Sequence, residues 1–214
     1  MLRSFLFDPD SGLMLFFGRI VDFFWLSILT VIGCLPLITA GASISACLYC
    51  CRKMILHEDT HLTKKFWKAY RANMKKGILL EIIFLDIFLL LGGVVILMLY
   101  DEKIIGRTLN IPMAVNVIVL LLIIIYFMAL VHVFPLNAFF ENKLSGTLKN
   151  SFLIAISNLP VTIAMLIVNG LPFLLCYCYP ILWFFEAIFG IGLCAFWTAQ
   201  LYRIVMKKLG IEET

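Results

Sequence analysis

From Phe23 to Cys51 the chain carries no charged residue, and the middle of this run reads GCLPLITAGAS. These 29 residues as one helix would measure about 43 Å at ~1.5 Å per residue. A bilayer's hydrocarbon core of about 30 Å takes roughly 20 helical residues. The run is too long for one straight crossing and too short for two, and it has helix breakers at its centre. Pro36 supplies no backbone donor and disfavours helix at Leu35. Two arrangements follow. In the first, residues 16–51 cross once, kinked at Pro36, with the N-terminus outside. In the second, the chain turns near Pro36–Gly41 and returns, with the N-terminus inside. The single kinked span is favoured, because re-entrant backbone is tolerated only where protein or a watery cavity satisfies its polar groups. Either way, the hydroxyls of Thr39 and Ser43 are placed to take up backbone groups freed at the break. Gly41 with Ser45 and Ala42 with Ala46 are small pairs that let helices approach closely. Pro36, Thr39, Gly41 and Ser43 form the first candidate site.

Composition identifies the solvent. The chain is 63% hydrophobic and 14% charged, with a mean hydropathy of +1.05. Soluble domains hold about 45–50% apolar and ~25% charged residues. The expectation is an all-α, polytopic membrane bundle forming a single domain over residues 1–214, with about five spans. The seven cysteines lie in or beside apolar stretches. The cluster Cys47, Cys50 and Cys51 has no His or carboxylate close by to complete a metal site, so these read as small hydrophobes. The acidic N-terminal residues Asp8 and Asp10 and the length of the apolar run argue against a cleaved leader.

Four further spans are expected at about 77–100, 113–134, 159–178 and 181–202. Pro112 precedes the second of these, and Pro172 should kink the third. The connection 52–76 holds Arg52, Lys53, Lys64, Lys65, Lys68, Arg71, Lys75 and Lys76 against Glu58 and Asp59. The positive-inside rule places it in the cytoplasm, and with it the C-terminal tail carrying Arg203, Lys207 and Lys208. The connection 101–112, with Lys103 and Arg107, then lies outside and 137–158 inside.

Three stretches carry possible chemistry. In THLTKKFWKAYRANMKKG, Phe66, Trp67, Tyr70 and Met74 recur at helical spacing beside Lys64, Lys68, Arg71 and Lys75. This reads as an amphipathic cytoplasmic surface helix. Its aromatics sit at headgroup level and its cations face anionic lipid. A docking face for a partner is the other reading, and nucleic acid is set aside for a segment between two spans. Asp86 and His132 are the titratable groups expected at membrane depth, where such residues usually face the bundle interior. Their depths differ by several ångströms, so a direct pair needs a tilt. Asn116 and Asn169 are the other candidate partners of Asp86. Glu81 and Glu186 lie nearer the surfaces and read as less buried. Pro36-Leu37 and Pro135-Leu136 each end an apolar run, as in transporters built from repeated halves with a broken helix in each. No phosphate-binding loop, nucleophile elbow, HExxH or calcium-loop spacing occurs. No cofactor or metal is expected.

LPLITAGASISA (residues 35–46) resembles the P-x-x-T-x-G-x-S-x-x-A signature of the YesL-like integral membrane proteins of Gram-positive bacteria. FWKAYRANMKKG (residues 66–77) is similar to their F-x-x-x-x-x-x-N-x-K block, supplying Phe66, Asn73 and Lys75. FPLNAFFENKLSGTLKNSFLIAISNLP (residues 134–160) is similar to their later P-L-x-A-x-F and loop. The resemblance implies a family of unknown function whose members are often encoded near carbohydrate-uptake and polysaccharide-degradation genes. It implies no catalytic residues. The expected function is therefore a non-enzymatic accessory or regulatory component of carbohydrate uptake in the cell membrane. Its expected partners are the bilayer, carbohydrate-transporter subunits and other copies of itself. A small oligomeric transporter using the broken first helix with Asp86 and His132 is the alternative, and a membrane enzyme acting on lipid or isoprenoid substrates the third.

Overall fold

The computed structural model describes residues 12–58, 60–104 and 113–210. Arg3, Asp8, Asp10, Asp59, and the connection 105–112 with Arg107 and Pro112, lie outside them. The described residues are helical apart from short connections, with no strand among them. Seven helices follow in order: α1 (Gly12–Cys34), α2 (Ala40–Ile55), α3 (Leu62–Ile104), α4 (Met113–Phe139), α5 (Leu144–Ser157), α6 (Leu159–Cys178) and α7 (Leu182–Lys208). A short 3-10 turn at Leu37–Thr39 joins α1 to α2, and α7 contains a π-helical turn at Glu186–Gly190. Five helices are long and apolar enough to cross a membrane: α1, α3, α4, α6 and α7. The all-α multi-pass bundle expected from composition is the fold observed.

The stretch 16–51 is not one kinked rod. Ser43 of α2 donates to the Thr30 carbonyl of α1 at 2.8 Å, although 13 residues separate them. A continuous helix would hold them about 20 Å apart. The chain reverses at Pro36, so α1 and α2 form an antiparallel hairpin, the arrangement not favoured from sequence. At 16 residues, about 24 Å, α2 is too short to span a bilayer. It is nonetheless the most enclosed helix, burying Ala42, Ser43, Ser45, Ala46, Cys47, Leu48, Cys50, Cys51 and Met54. Cys50 and Cys51 place their sulfurs against the carbonyls of Leu62 and Gly192, as small core residues do.

The α2 helix ends at a Schellman turn. The His57 amide donates to the Met54 carbonyl and the Glu58 amide to the Lys53 carbonyl, with His57 at φ 57° where glycine is usual. Lys53 then pairs with Glu58 at 2.6 Å, and Lys65 Nζ reaches the Glu58 carbonyl.

A second correction concerns the surface helix. Residues 62–76 and the span 77–100 are one unbroken helix, α3, of 43 residues and about 64 Å. Phe66 is fully buried and Tyr70 nearly so, packed with α2 in the main core cluster. Phe66 and Tyr70 are therefore core, Trp67 is half-buried, and Lys64, Lys68, Arg71 and Lys75 face outward. Trp25 donates to Thr63 at 2.8 Å and Tyr70 to the Gly33 carbonyl at 3.5 Å. The two contacts share nearly the same sequence offset, so α1 runs parallel to the basic half of α3.

The Pro36/Pro135 repeat does not hold for the helices. Pro135 lies inside α4, which continues to Phe139, whereas Pro36 reverses the chain. Helix α6 likewise runs through Pro172. The segment read as an inner loop, 137–158, contains α5, which buries Thr147, Ser151 and Ala155. In α7 the π turn delivers the Gly192 amide to Ser27 of α1 at 2.9 Å. A Cβ at Gly192 would stand 2.6 Å from the Phe23 carbonyl oxygen, so α1 and α7 touch through backbone here.

Candidate functional site

The broken-helix signature sits where α1, α2, α3 and α4 meet. Thr39 donates to the Gly33 and Pro36 carbonyls at 2.9 and 2.8 Å, taking up groups that the break releases. Ser45 donates to the Gly41 carbonyl at 2.8 Å. The N-terminus of α2 carries unpaired amides and the positive end of the helix dipole. In broken transporter helices such an end faces an anionic substrate. Here it faces Glu81 of α3, whose carboxylate accepts from the Gly41 amide at 2.9 Å. Sequence alone places Glu81 near a membrane surface, yet it holds the key contact of the junction. The close fit is enforced by glycine on both sides. A Cβ at Gly77 would lie 2.7 and 2.8 Å from Ala42 N and Cα, and one at Gly41 would lie 2.7 Å from the Gly77 carbonyl oxygen. The signature is thus a joint already closed by the protein's own acid.

A polar seam runs from this joint into the bundle. Asn137 of α4 donates through Nδ2 to Ser45 Oγ at 2.9 Å. His132, fully buried, meets Thr162 of α6 at 2.9 Å from Nε2 to Oγ1. Thr162 Oγ1 also lies 3.0 Å from the Ala155 carbonyl and 3.1 Å from that of Asn158. Its one proton goes to a carbonyl, so His132 donates through Nε2 and is left with Nδ1 as an acceptor. Among the described residues Nδ1 has no partner, and neither do the buried Asn137 Oδ1 and Tyr202 Oη. The His132 and Tyr202 rings lie 5.8 Å apart. Asn169 bridges to Thr198 at 2.9 Å. His132 is therefore a core residue. This is the inward-facing position expected of a titratable residue at membrane depth.

Asp86 is not brought to His132. It is exposed on α3, while Phe84, two residues before it, packs on Tyr126 of α4. Asn116 is exposed on α4, and Asn169 is engaged with Thr198, so neither expected partner takes up the carboxylate. Among the described residues Asp86 has no hydrogen bond or ion pair, and its neighbours Leu85, Ile87, Phe88, Leu89 and Leu90 are also exposed. Of the remaining signature positions, Asn73 and Trp67 are half-buried and Lys75 is exposed.

Helix content, five crossing-length apolar helices and the satisfied junction define a multi-pass membrane protein. Residues 20–98 match the family described as "Protein of unknown function, DUF624". The matched region begins inside α1, holds the break, α2, Glu81 and Asp86, and ends inside α3. No curated protein and no solved structure matches the chain.

Proposed function

We propose that this protein is a non-enzymatic component of a larger membrane assembly, held to a partner through the face of α3 that carries Asp86. The observation behind this reading is an acid exposed on an apolar span with no partner of its own. A carboxylate left in hydrocarbon costs at least about 2.5–3.5 kcal/mol on insertion scales, and intramembrane charges normally pair within a bundle. A hydrogen-bond donor or cation on another membrane protein relieves that cost. The YesL-like resemblance points to the partner's identity, a subunit of a carbohydrate-uptake transporter in the cell membrane. The positive-inside rule supports a cytoplasmic location for 52–76 and the C-terminal tail. The oligomeric-transporter reading has less geometric support, because Asp86 and His132 stand apart and the end of α2 is already occupied by Glu81.

A photo-crosslinking side chain placed at Ile82 or Leu89, in cells expressing the full chain, tests this directly. Both flank Asp86 and are exposed. The expected product is an adduct with one transporter subunit, lost in Asp86→Leu and kept in Asp86→Glu. Adducts with this chain alone would replace the accessory reading with a homo-oligomer, and lipid adducts alone would overturn it.

A further inference from the structure

The parallel register of α1 and α3 sets two unlike surfaces at the same level. Thr63 is bonded to Trp25 and Tyr70 reaches Gly33, so the segment 63–70 lies beside 25–33. On α1 this level exposes Trp25 and Ile32, and the apolar stripe continues one turn further to the exposed Val21. On α3 it exposes Lys64, Lys68, Arg71 and Lys75, spaced four, three and four residues apart on one helical face. None of the four has an ion pair among the described residues. Between the cations lies an open depression of about 640 Å³ lined by Thr63, Lys64, Trp67, Lys68 and Arg71. An apolar helix lowers its free energy in hydrocarbon, whereas a row of unpaired cations raises its own there. Water alone satisfies the cations, and lipid tails alone satisfy the stripe. A molecule with an anionic head and an apolar tail satisfies both at once.

We infer that this depression is a binding site for one anionic phospholipid. Its phosphate lies among Lys64, Lys68 and Arg71, and an acyl chain follows the exposed stripe of α1. Arg71 supplies a planar fork suited to phosphate oxygens, and the lysines act as point charges around it. Trp67, half-buried at the floor, offers an indole edge at the level where head meets tail. The site is distinct from the Asp86 face and does not depend on what that face binds.

The test uses the full chain with Trp183→Phe and Trp197→Phe, leaving Trp25 and Trp67 as reporters. It is reconstituted in phosphatidylcholine vesicles doped with phosphatidylglycerol carrying brominated chains, which quench nearby indoles. Quenching should occur at a much lower fraction of brominated phosphatidylglycerol than of brominated phosphatidylcholine. Basic residues near an anionic surface contribute about five-fold each, so Lys64→Gln/Lys68→Gln/Arg71→Gln should lower the preference roughly a hundred-fold. Lys68→Glu alone should lower it by at least about five-fold. All these side chains are exposed, and the equally exposed Lys143→Gln/Lys149→Gln/Lys207→Gln, with the same change in net charge, should keep the preference. Unchanged quenching in the first triple variant overturns the proposal, as does equal loss in the second. Inorganic phosphate abolishing the preference would show a free-anion site instead. Displacement of the lipid by a poly-glutamate peptide at lower concentration would show a protein-docking site.

Discussion

Gly77→Ala separates packing from helix propensity within a single helix. In the interior of α3, glycine is about 0.8–1 kcal/mol worse than alanine, so propensity alone favours the substitution by that amount. The structure reverses the sign. The new Cβ would lie 2.7 Å from the Ala42 amide nitrogen, 2.8 Å from its Cα and 3.0 Å from its Cβ. Normal carbon contacts need about 3.5–4.0 Å. The obstacle is mostly helix backbone, so relief requires α2 to shift by several tenths of an ångström, which strains the Gly41–Glu81 hydrogen bond at the same joint. Overpacking of this kind costs about 1–3 kcal/mol. Net of propensity, Gly77→Ala should destabilise by up to ~2 kcal/mol, or up to roughly 8 °C in Tm for a chain of this size. Gly92 and Gly93 lie on the same helix, and a Cβ at either would meet nothing within 4 Å. Gly92→Ala and Gly93→Ala should therefore each stabilise by up to about 1 kcal/mol. Thermal unfolding of the three variants in one detergent, followed by far-ultraviolet circular dichroism, gives the order directly. A Gly77→Ala protein as stable as Gly92→Ala would refute the close approach of α2 and α3.

Other consequences can be measured in the same preparation. Glu81→Ala removes a charged acceptor from the α2 N-terminus and should cost about 1.5–3 kcal/mol, whereas Glu81→Gln, which keeps an acceptor oxygen, should lose less; equal losses would show that a neutral acceptor contributes nothing there and that the charge carries the whole effect. His57→Gly relieves a left-handed backbone at the end of α2 and should raise stability by about 1 kcal/mol, seen as a higher Tm. Of the seven cysteines, Cys178 is exposed while Cys47, Cys50, Cys51 and Cys176 are buried, so a hydrophilic maleimide should modify Cys178 first in the folded protein, as peptide mapping will report. In a Cys178→Ser background, cysteines introduced at Leu13, at the start of α1, and at Ser145 should label from the same side of the membrane, as the hairpin requires; opposite-side labelling would restore a single crossing.

The helical membrane class was legible because composition names the solvent, and in lipid the backbone has few ways to satisfy itself. The break at Pro36 was legible for the same reason, along with the hydroxyls that serve it. The reversal was not. A missing amide at Pro36 says that the helix stops, but the exit angle is decided by what α2 meets, above all Gly77 and Glu81 some 40 residues on. A division of α3 at residue 76 follows a change in charge, which reports a change of surroundings. Nothing from Leu62 to Gly77 interrupts the backbone. Glu81 is easily undervalued because one carboxylate near the end of a span looks the same whether it meets solvent or caps a helix. The general behaviour of membrane charges puts Asp86 inside the bundle, and its exposed position is what makes a partner the better reading.

The shortness of α2 bears on how the protein is made. Too short to cross by itself, this helix owes its burial to neighbours on both sides in the chain, and the carboxylate that caps it belongs to a residue synthesised 40 positions later. When α2 leaves the ribosome its polar N-terminus has no acceptor. Only after α3 is inserted can Glu81 cap that end. The first two helices therefore cannot mature independently, and a chain halted before Glu81 should present an unsealed end to quality-control proteases.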